Sequence, residues 1–214
     1  MISNRLKAIA KYSNKSHILL DVGSDHGLLP IYAIESKFCD SAIASDINEL
    51  PLINAKKNFK RHNLDIKTIV YDGIPITNAD CIVISGMGSE LIIKILEKTL
   101  NNAINLNKLI LCPNTDYDML RKYINNKFKI IDEEIIYDKN HFYEIIVLEK
   151  GKSNYNNKEL YFGPVLLKKK GDIFVKKYER KLYTLTNIYK TITDNVKKEE
   201  IRKEIKMIEE ELYA

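Results

Sequence analysis

The chain has 214 residues, of which 45% are hydrophobic and 29% charged, with eight glycines and five prolines. This length exceeds an average domain of roughly 100–150 residues and predicts one main domain with a smaller appendage. The composition excludes collagen-like, mucin-like and low-complexity proteins. The sequence contains neither the run of about 18 apolar residues that spans a membrane nor an apolar signal peptide, and we expect a cytoplasmic protein without membrane association.

The formal net charge of +5 is unevenly distributed. Residues 1–150 carry 19 Lys and Arg against 19 Asp and Glu, residues 151–190 carry 10 against 3, and residues 191–214 carry 5 against 7. Residues 1–150, which we call the body, are therefore neutral, and residues 151–190, which we call the basic limb, carry the excess of positive charge. Such an asymmetry is expected at a nucleic-acid contact, but a solvated helical face would produce the same counts.

Strand and helix patterns alternate through the first part of the chain. Ser3 is placed to cap a short amphipathic helix with Arg5 off its apolar side, and further helices are predicted over residues 28–37 and 50–62. Buried strands are predicted at residues 17–23, 41–46, 67–72, 80–86 and 108–113. This alternation is typical of βαβ units in a largely parallel sheet, which places the functional site at the carboxyl ends of the strands.

The end of the body breaks this alternation. Residues 133–137 and 142–148 are predicted as two strands, and the connection over residues 138–141 is too short for a crossover helix. The two strands must therefore pair antiparallel as a hairpin. A parallel sheet that ends in an antiparallel hairpin differs from the dinucleotide dehydrogenases and indicates an α/β fold, the Rossmann-like class I methyltransferase sheet.

After residue 151 the chain changes character, and we predict one domain over residues 1–151 and another over residues 152–214. A polar linker leads to a basic run and then to two helical patterns with apolar residues three and four apart. Asp194 and Asn195 are suited to end the first helix and cap the second. We expect a C-terminal antiparallel helical hairpin or coiled coil, either as a cover for the sheet or as an arm for substrate.

The first predicted strand includes Asp21 and leads into the glycine-bearing turn Gly23–Gly27. Such a turn lets the backbone approach a ligand and exposes the N–H groups of the next helix. Asp25 occupies the middle of the turn, where a dinucleotide would place its pyrophosphate, and its carboxylate would repel that group. S-adenosylmethionine has no phosphate and carries a sulfonium and an ammonium group, so the turn favours this cofactor over NAD or FAD.

Acidic residues also end the next two strands. Asp46 lies about 20 residues beyond the turn and can accept hydrogen bonds from both ribose hydroxyls of an adenosine group. Asp72 can accept one from the adenine amino group. A single acid at a strand end is more often a turn or capping residue, but three in succession favour a ligand.

The fourth strand is followed by Ser85–Gly88, where class I methyltransferases place the loop between methyl donor and acceptor, although an ordinary turn would have the same composition. Cys112 precedes Pro113 and is interpreted as a buried strand-end cysteine, which disfavours carbon-5 methylation of pyrimidines. No metal is predicted, because the cysteines and histidines show no metal-ligand spacing. Of the histidines, only His26 is expected to touch the site.

Six motifs are spread over nearly the whole chain. They are Leu20–Pro30 with its Ser-Asp-His sequence, Ala44–Ile47, Ile84–Gly88, Leu111–Asn114 with Leu120-Arg121, Phe142–Ile146 and Phe162–Pro164. Together they resemble the bacterial tRNA (adenine-22-N1)-methyltransferase family. The resemblance implies S-adenosylmethionine as cofactor and methyl transfer to N1 of an adenine in the D-arm region of tRNA. Ser89 and Cys112 depart from the family, which usually has glycine and glutamine there.

The resemblance also implies roles for individual residues. Separately, we expect a monomer without an obligate protein partner. We expect cofactor contacts from Asp21, Gly23, Ser24, Asp25, His26, Gly27, Asp46, Ile47, Asp72, Gly73, Ser85, Gly86 and Met87. The acceptor base is expected to lie against Gly86, Met87 and Asn114. Phosphate contacts are expected from Lys168, Lys169, Lys170, Lys176, Lys177, Arg180 and Lys181, which could equally be solvated helix surface.

Three alternatives remain open. A methyltransferase for a small molecule or a protein would keep the cofactor signals but would not need the basic limb. A non-catalytic RNA-binding protein on a methyltransferase fold would bind tRNA without transferring a methyl group, although the intact strand-end acids disfavour this. A nucleotide-cofactor oxidoreductase is disfavoured by Asp25 and by the terminal hairpin.

Overall fold

The computed structural model describes residues 2–213 and contains a seven-stranded sheet of order β3-β2-β1-β4-β5-β7-β6. The strands are β1 (Ser16–Val22), β2 (Cys39–Asp46), β3 (Lys67–Val70), β4 (Cys81–Ser85), β5 (Lys108–Cys112), β6 (Phe128–Asp138) and β7 (His141–Lys150). Neighbours among β1 to β5 pair parallel, and β7 pairs antiparallel with β5 and β6. The class I methyltransferase sheet predicted from the sequence is confirmed.

Helices cover both faces of this sheet. Those of the body are α1 (Asn4–Lys11), α2 (Leu28–Glu35), α3 (Glu49–Arg61), α4 (Ser89–Thr99), α5 (Tyr117–Ile124), α6 (Asn157–Phe162) and α7 (Pro164–Lys169). Successive residues of β4 enter opposite cores, because side chains alternate along a strand. Ile82 and Ile84 pack in the core that contains α4 and α5, and Val83 packs in the core that contains α1, α2 and α3.

The antiparallel hairpin is longer than predicted. Its turn consists of Lys139 and Asn140, both in the left-handed region with φ of 48° and 64°, which suits a two-residue hairpin loop. A register shift between Ile130 and Asp132 interrupts the alternation of β6. Because the bulge breaks the alternation of inward and outward side chains, the period-two pattern does not predict the first part of this strand.

The first helix is tied to the body at both ends. The Ser3 hydroxyl accepts a hydrogen bond of 3.2 Å from the backbone N–H of Leu6, which confirms the predicted cap. At the other end, the Lys108 ammonium donates to the carbonyl oxygens of Tyr12 and Asn14 at 2.8 and 3.2 Å. Because Lys108 begins β5, α1 starts at the carboxyl ends of the strands and finishes at their amino ends.

The chain divides into one compact unit that ends at Leu167 and a second that begins at Lys168. The boundary predicted from composition, between residues 151 and 152, lies before this division. The segment between the two positions contains α6 and most of α7. There the Glu133 carboxylate accepts hydrogen bonds of 2.8 and 3.3 Å from the backbone N–H groups of Val165 and Leu166.

The second unit contains the antiparallel helical hairpin that the sequence predicts, formed by α8 (Asp172–Thr191) and α9 (Asn195–Tyr213). Ion pairs join Lys170 to Glu211 at 2.6 Å and Lys181 to Glu204 at 2.8 Å, so residue numbers rise along one helix as they fall along the other. The Asp194 carboxylate caps α9 by accepting hydrogen bonds from the backbone N–H groups of Val196 and Lys197. Over residues 2–213, no helix has the length and apolar character needed to cross a membrane.

Candidate active site

A cavity of about 270 Å³ lies at the carboxyl ends of β1 and β4. Eight of the predicted cofactor residues line it, namely Asp21, Gly23, Ser24, Asp25, His26, Gly27, Ser85 and Gly86. Arg5 and Leu6 of α1 and Leu28 and Leu29 of α2 complete the wall. The glycine turn and the loop after β4, which are far apart in sequence, therefore border one space.

The glycine turn is shaped by its backbone. The N–H groups of Gly23 and Ser24 both donate to the carbonyl oxygen of Ser45, at 2.8 and 2.9 Å. Gly23 has a φ of 79°, and a Cβ at this position would collide with the terminal methyl of Met87. Only glycine meets both conditions, so the turn packs directly against the loop after β4.

Asp21 is the buried acid of the cavity, with 6% of its surface exposed. The pKa of its carboxyl is raised from 3.8 to about 6, mainly by burial and in part by the nearby Asp46 carboxylate, while a hydrogen bond with Ser24 opposes the shift. A carboxylate in such surroundings favours a ligand that brings positive charge.

Four hydrogen bonds join the loop after β4 and the start of α4 to the end of β5 and the loop after it. The Gly86 N–H donates to the Cys112 carbonyl at 3.1 Å, and the Asn114 N–H donates to the Met87 carbonyl at 2.8 Å. The side-chain amide of Asn114 donates to the Gly86 carbonyl at 2.8 Å. The Ser89 hydroxyl, at a position where the family usually has glycine, donates to the Thr115 carbonyl at 2.6 Å. The structure thus brings together the three residues predicted to receive the acceptor base.

The other predicted cofactor residues do not line the cavity. The Asp46 carboxylate accepts a hydrogen bond of 2.8 Å from the backbone N–H of Asn48. The Asp72 carboxylate forms an ion pair with the Lys98 ammonium of α4. The residues predicted for the cofactor that lie outside this cavity wall are Asp46, Ile47, Asp72, Gly73 and Met87.

The three cysteines, Cys39, Cys81 and Cys112, are buried and form no disulfide. Burial raises the pKa of the Cys112 thiol to about 12, which agrees with the interpretation of a buried strand-end residue rather than a nucleophile. In the part of the chain that the structure describes, no three His, Cys, Asp or Glu side chains form a group that could hold a metal ion.

The basic limb is partly neutralised within its own unit. Of the residues predicted to contact phosphates, Lys170 and Lys181 pair with carboxylates of α9. The Lys177 ammonium lies 5.1 Å from the ring centre of Tyr178. Lys168 and Lys176 are exposed on the same unit.

Arg5 is a site residue that the sequence analysis missed. Its Nη1 donates to the side-chain oxygen of Asn114 at 3.3 Å, and its guanidinium lies 4.6 Å from the ring centre of Tyr143. A signal for it exists in the sequence. The connection between α1 and β1 is too short to let the helix run parallel to the strand, so its first turn must lie at the carboxyl ends of the strands.

Comparison with known proteins decides the family. The model of the tRNA (adenine(22)-N(1))-methyltransferase family matches residues 19–213. The chain belongs to this family. It is 31% identical over 217 residues to the tRNA (adenine(22)-N(1))-methyltransferase of Bacillus subtilis (strain 168), covering 96% of this chain and 91% of that relative.

Solved structures of similar chains include two with bound ligands. M. capricolum TrmK, solved with S-adenosyl-homocysteine, is 31% identical with a TM-score of 0.88, over 99% of this chain and 98% of that one. A Streptococcus pneumoniae protein solved with S-adenosyl-L-methionine is 34% identical with a TM-score of 0.91, over 100% of both chains. The resemblance to the tRNA (adenine(22)-N(1))-methyltransferase family predicted from the motifs is confirmed.

The motifs of this family serve two different places in the structure. Those after β1, β4 and β5 form the cavity and the loops beside it, whereas the later ones meet in a buried ion cluster. There Arg121 donates to Glu133 at 2.7 Å and also pairs with Glu144. A Cβ at Gly163 would lie 2.7 Å from atoms of both Arg121 and Glu133. The second set of motifs therefore lies in this buried cluster, outside the cavity wall.

Proposed function

We propose that this protein transfers the methyl group of S-adenosylmethionine to N1 of adenine 22 in the D-arm region of tRNA. The observation that carries the proposal is that the cavity of Asp21 borders the loop of Gly86 and Met87, to which Asn114 is hydrogen-bonded, in a chain of this family. A donor pocket beside an acceptor loop is the arrangement that a methyl transfer requires.

The residues present fit this cofactor. Asp21 supplies negative charge for the ammonium and sulfonium groups, and the carboxylate of Asp25 in the turn disfavours a pyrophosphate. Asp46 at the end of β2 and Asp72 two residues beyond β3 lie outside the cavity wall, and they would accept hydrogen bonds from the ribose hydroxyls and the adenine amino group of a cofactor that extends past it. When bound, S-adenosylmethionine supplies an electrophilic methyl group on a positively charged sulfur.

Methyl transfer to adenine depends more on alignment of its N1 with the methyl group than on a side chain that removes a proton. Adenine N1 has an in-plane lone pair that is mostly unprotonated near neutrality, so the protein must orient the ring and exclude water. Asn114 is suited to this because its amide is fixed against the Gly86 carbonyl. N1 is hidden in paired RNA, so the base must be extruded or bound unpaired before it reaches this loop.

The basic residues of the second unit would bind the tRNA backbone, with an affinity that falls as salt rises. The proposal also includes action as a monomer in the cytoplasm, where its tRNA substrate is found. Light scattering of the purified protein tests the monomer.

The test is methyl transfer from labelled S-adenosylmethionine to unmodified bulk tRNA, followed by mapping of the methylated nucleoside. We expect 1-methyladenosine at position 22, no transfer to a transcript with guanine at that position, and loss of transfer in Asp46→Ala. Cofactor binding without labelling of tRNA would contradict the RNA substrate and favour a small-molecule or protein acceptor.

A further inference from the structure

Arg5 brings a positive charge to the cavity that contains the buried acid Asp21. The side chain is half-buried, and its guanidinium forms no ion pair with any carboxylate of residues 2–213. An arginine that is partly removed from water without an anionic partner is suited to bind an anion from outside the chain.

The position of this guanidinium is fixed before any ligand binds. Its helix is held by Lys108 at one end, and the backbone N–H of Arg5 lies 3.4 Å from a carboxylate oxygen of Asp138 at the other. The Tyr143 ring packs against the guanidinium, and the Asn114 oxygen accepts from Nη1. Little side-chain entropy would then be lost on binding, which favours affinity.

The proposed cofactor has the matching pair of charges. The amino-acid end of S-adenosylmethionine carries an ammonium and a carboxylate on the same carbon atom. We propose that Arg5 binds this carboxylate while Asp21 binds the ammonium. The assignment rests on the proposed function, because it concerns how the same cavity holds its cofactor.

The geometry favours the cofactor over an RNA phosphate as the partner of Arg5. Arg5 lines the same cavity as Asp21 and the glycine turn, so its guanidinium and the Asp21 carboxylate border the space proposed for the two charged groups of one amino acid. A guanidinium has five N–H donors, so Nη1 can keep its contact with Asn114 while other donors bind the carboxylate. Arg5 would then connect the bound cofactor to the acceptor loop.

Two nucleosides that differ at the amino-acid end test this assignment. S-adenosylhomocysteine has the carboxylate and the ammonium, and 5′-methylthioadenosine has neither. Calorimetric titration of the full chain without RNA compares Arg5→Gln, Arg5→Lys and the matched control Lys7→Gln, which changes an exposed cation of the same helix. A charge-assisted hydrogen bond predicts a loss of S-adenosylhomocysteine affinity of roughly 10- to 100-fold in Arg5→Gln and a smaller loss in Arg5→Lys.

Affinity for 5′-methylthioadenosine should stay within about twofold of the wild type in all three variants, because it lacks the group that Arg5 binds. Equal loss of both nucleosides in Arg5→Gln would overturn the assignment in favour of a general role in the fold. Unchanged affinity for both, with weaker tRNA binding, would overturn it in favour of an RNA phosphate. Failure of the wild type to bind S-adenosylhomocysteine would instead overturn the proposed function itself, and the assignment with it.

Discussion

The Ser89 hydroxyl donates a hydrogen bond of 2.6 Å to the carbonyl oxygen of Thr115, and this bond joins the start of α4 to the loop that follows β5. Ser89 is fully buried, so its hydroxyl cannot form a hydrogen bond with solvent instead. The departure from the family pattern at this position therefore adds a contact that glycine could not make. It lies directly beside the loop proposed to receive the acceptor base.

Ser89→Ala should lower the free energy of unfolding by about 1–2 kcal/mol, because the Thr115 carbonyl loses a buried donor. Urea denaturation measures this change. The matched control is Ser41→Ala, whose exposed hydroxyl makes a longer bond of 3.3 Å, and which should leave the urea midpoint unchanged. Equal midpoints for wild type and Ser89→Ala would show that the bond does not stabilise the loops.

Cofactor binding should weaken below about pH 6, where Asp21 takes up a proton. The positive groups of S-adenosylmethionine favour the carboxylate, so affinity should fall about tenfold between pH 7 and pH 5. Titrations across this range measure the effect. Asp21→Asn should bind weakly and with a much flatter pH profile, and a profile parallel to that of the wild type would assign the pH dependence to another group.

The same residue should make the ligand-free protein less stable at neutral pH. Folding raises the pKa of Asp21, so the stability linked to its protonated form is complete below about pH 3.8 and is lost as the pH rises through about 6. We expect Asp21→Asn to increase the free energy of unfolding at pH 7.5 by about 1–3 kcal/mol. Thermal unfolding at pH 7.5 and pH 4 checks the sign, since the gain should shrink at the lower pH.

Arg121→Met should destabilise the body by about 3–5 kcal/mol, because it leaves the Glu133 and Glu144 carboxylates buried together without their cation. Denaturant unfolding measures the loss. Arg202→Met removes the same kind of side chain from an exposed pair with Glu199 and should cause no measurable change. Similar midpoints for the two variants would mean that the buried cluster adds no stability.

Lys168→Gln combined with Lys176→Gln should weaken tRNA binding and make it less sensitive to salt. Each lost phosphate contact should reduce the slope of log affinity against log salt by about 0.9. Binding measured at several salt concentrations gives this slope. Lys206→Gln, in the more acidic α9, is the control and should leave the slope unchanged. An unaltered slope in the double variant would place the RNA contact elsewhere.

The sequence was sufficient for features that depend on local patterns. Apolar runs that end in Asp21, Asp46 and Asp72 predicted successive parallel strands, because burial and turn chemistry act within a few residues. The short connection after Tyr137 required an antiparallel hairpin, and the periodicity near the C-terminus predicted two antiparallel helices. The glycine turn and Ser85–Gly88 could be assigned to one site because the carboxyl ends of parallel strands share an edge.

Only the tertiary structure decided the contacts between residues far apart in the chain. Arg5 meets Asn114 across 109 positions, and Glu133 binds the backbone at Val165, which draws α6 and α7 into the body despite their linker-like composition. Charge and periodicity carry no information on such pairings, because these hydrogen bonds depend on which groups the fold brings within reach of one another. The folded structure was therefore needed to show that Arg5 lines the cavity and that the first unit extends to Leu167.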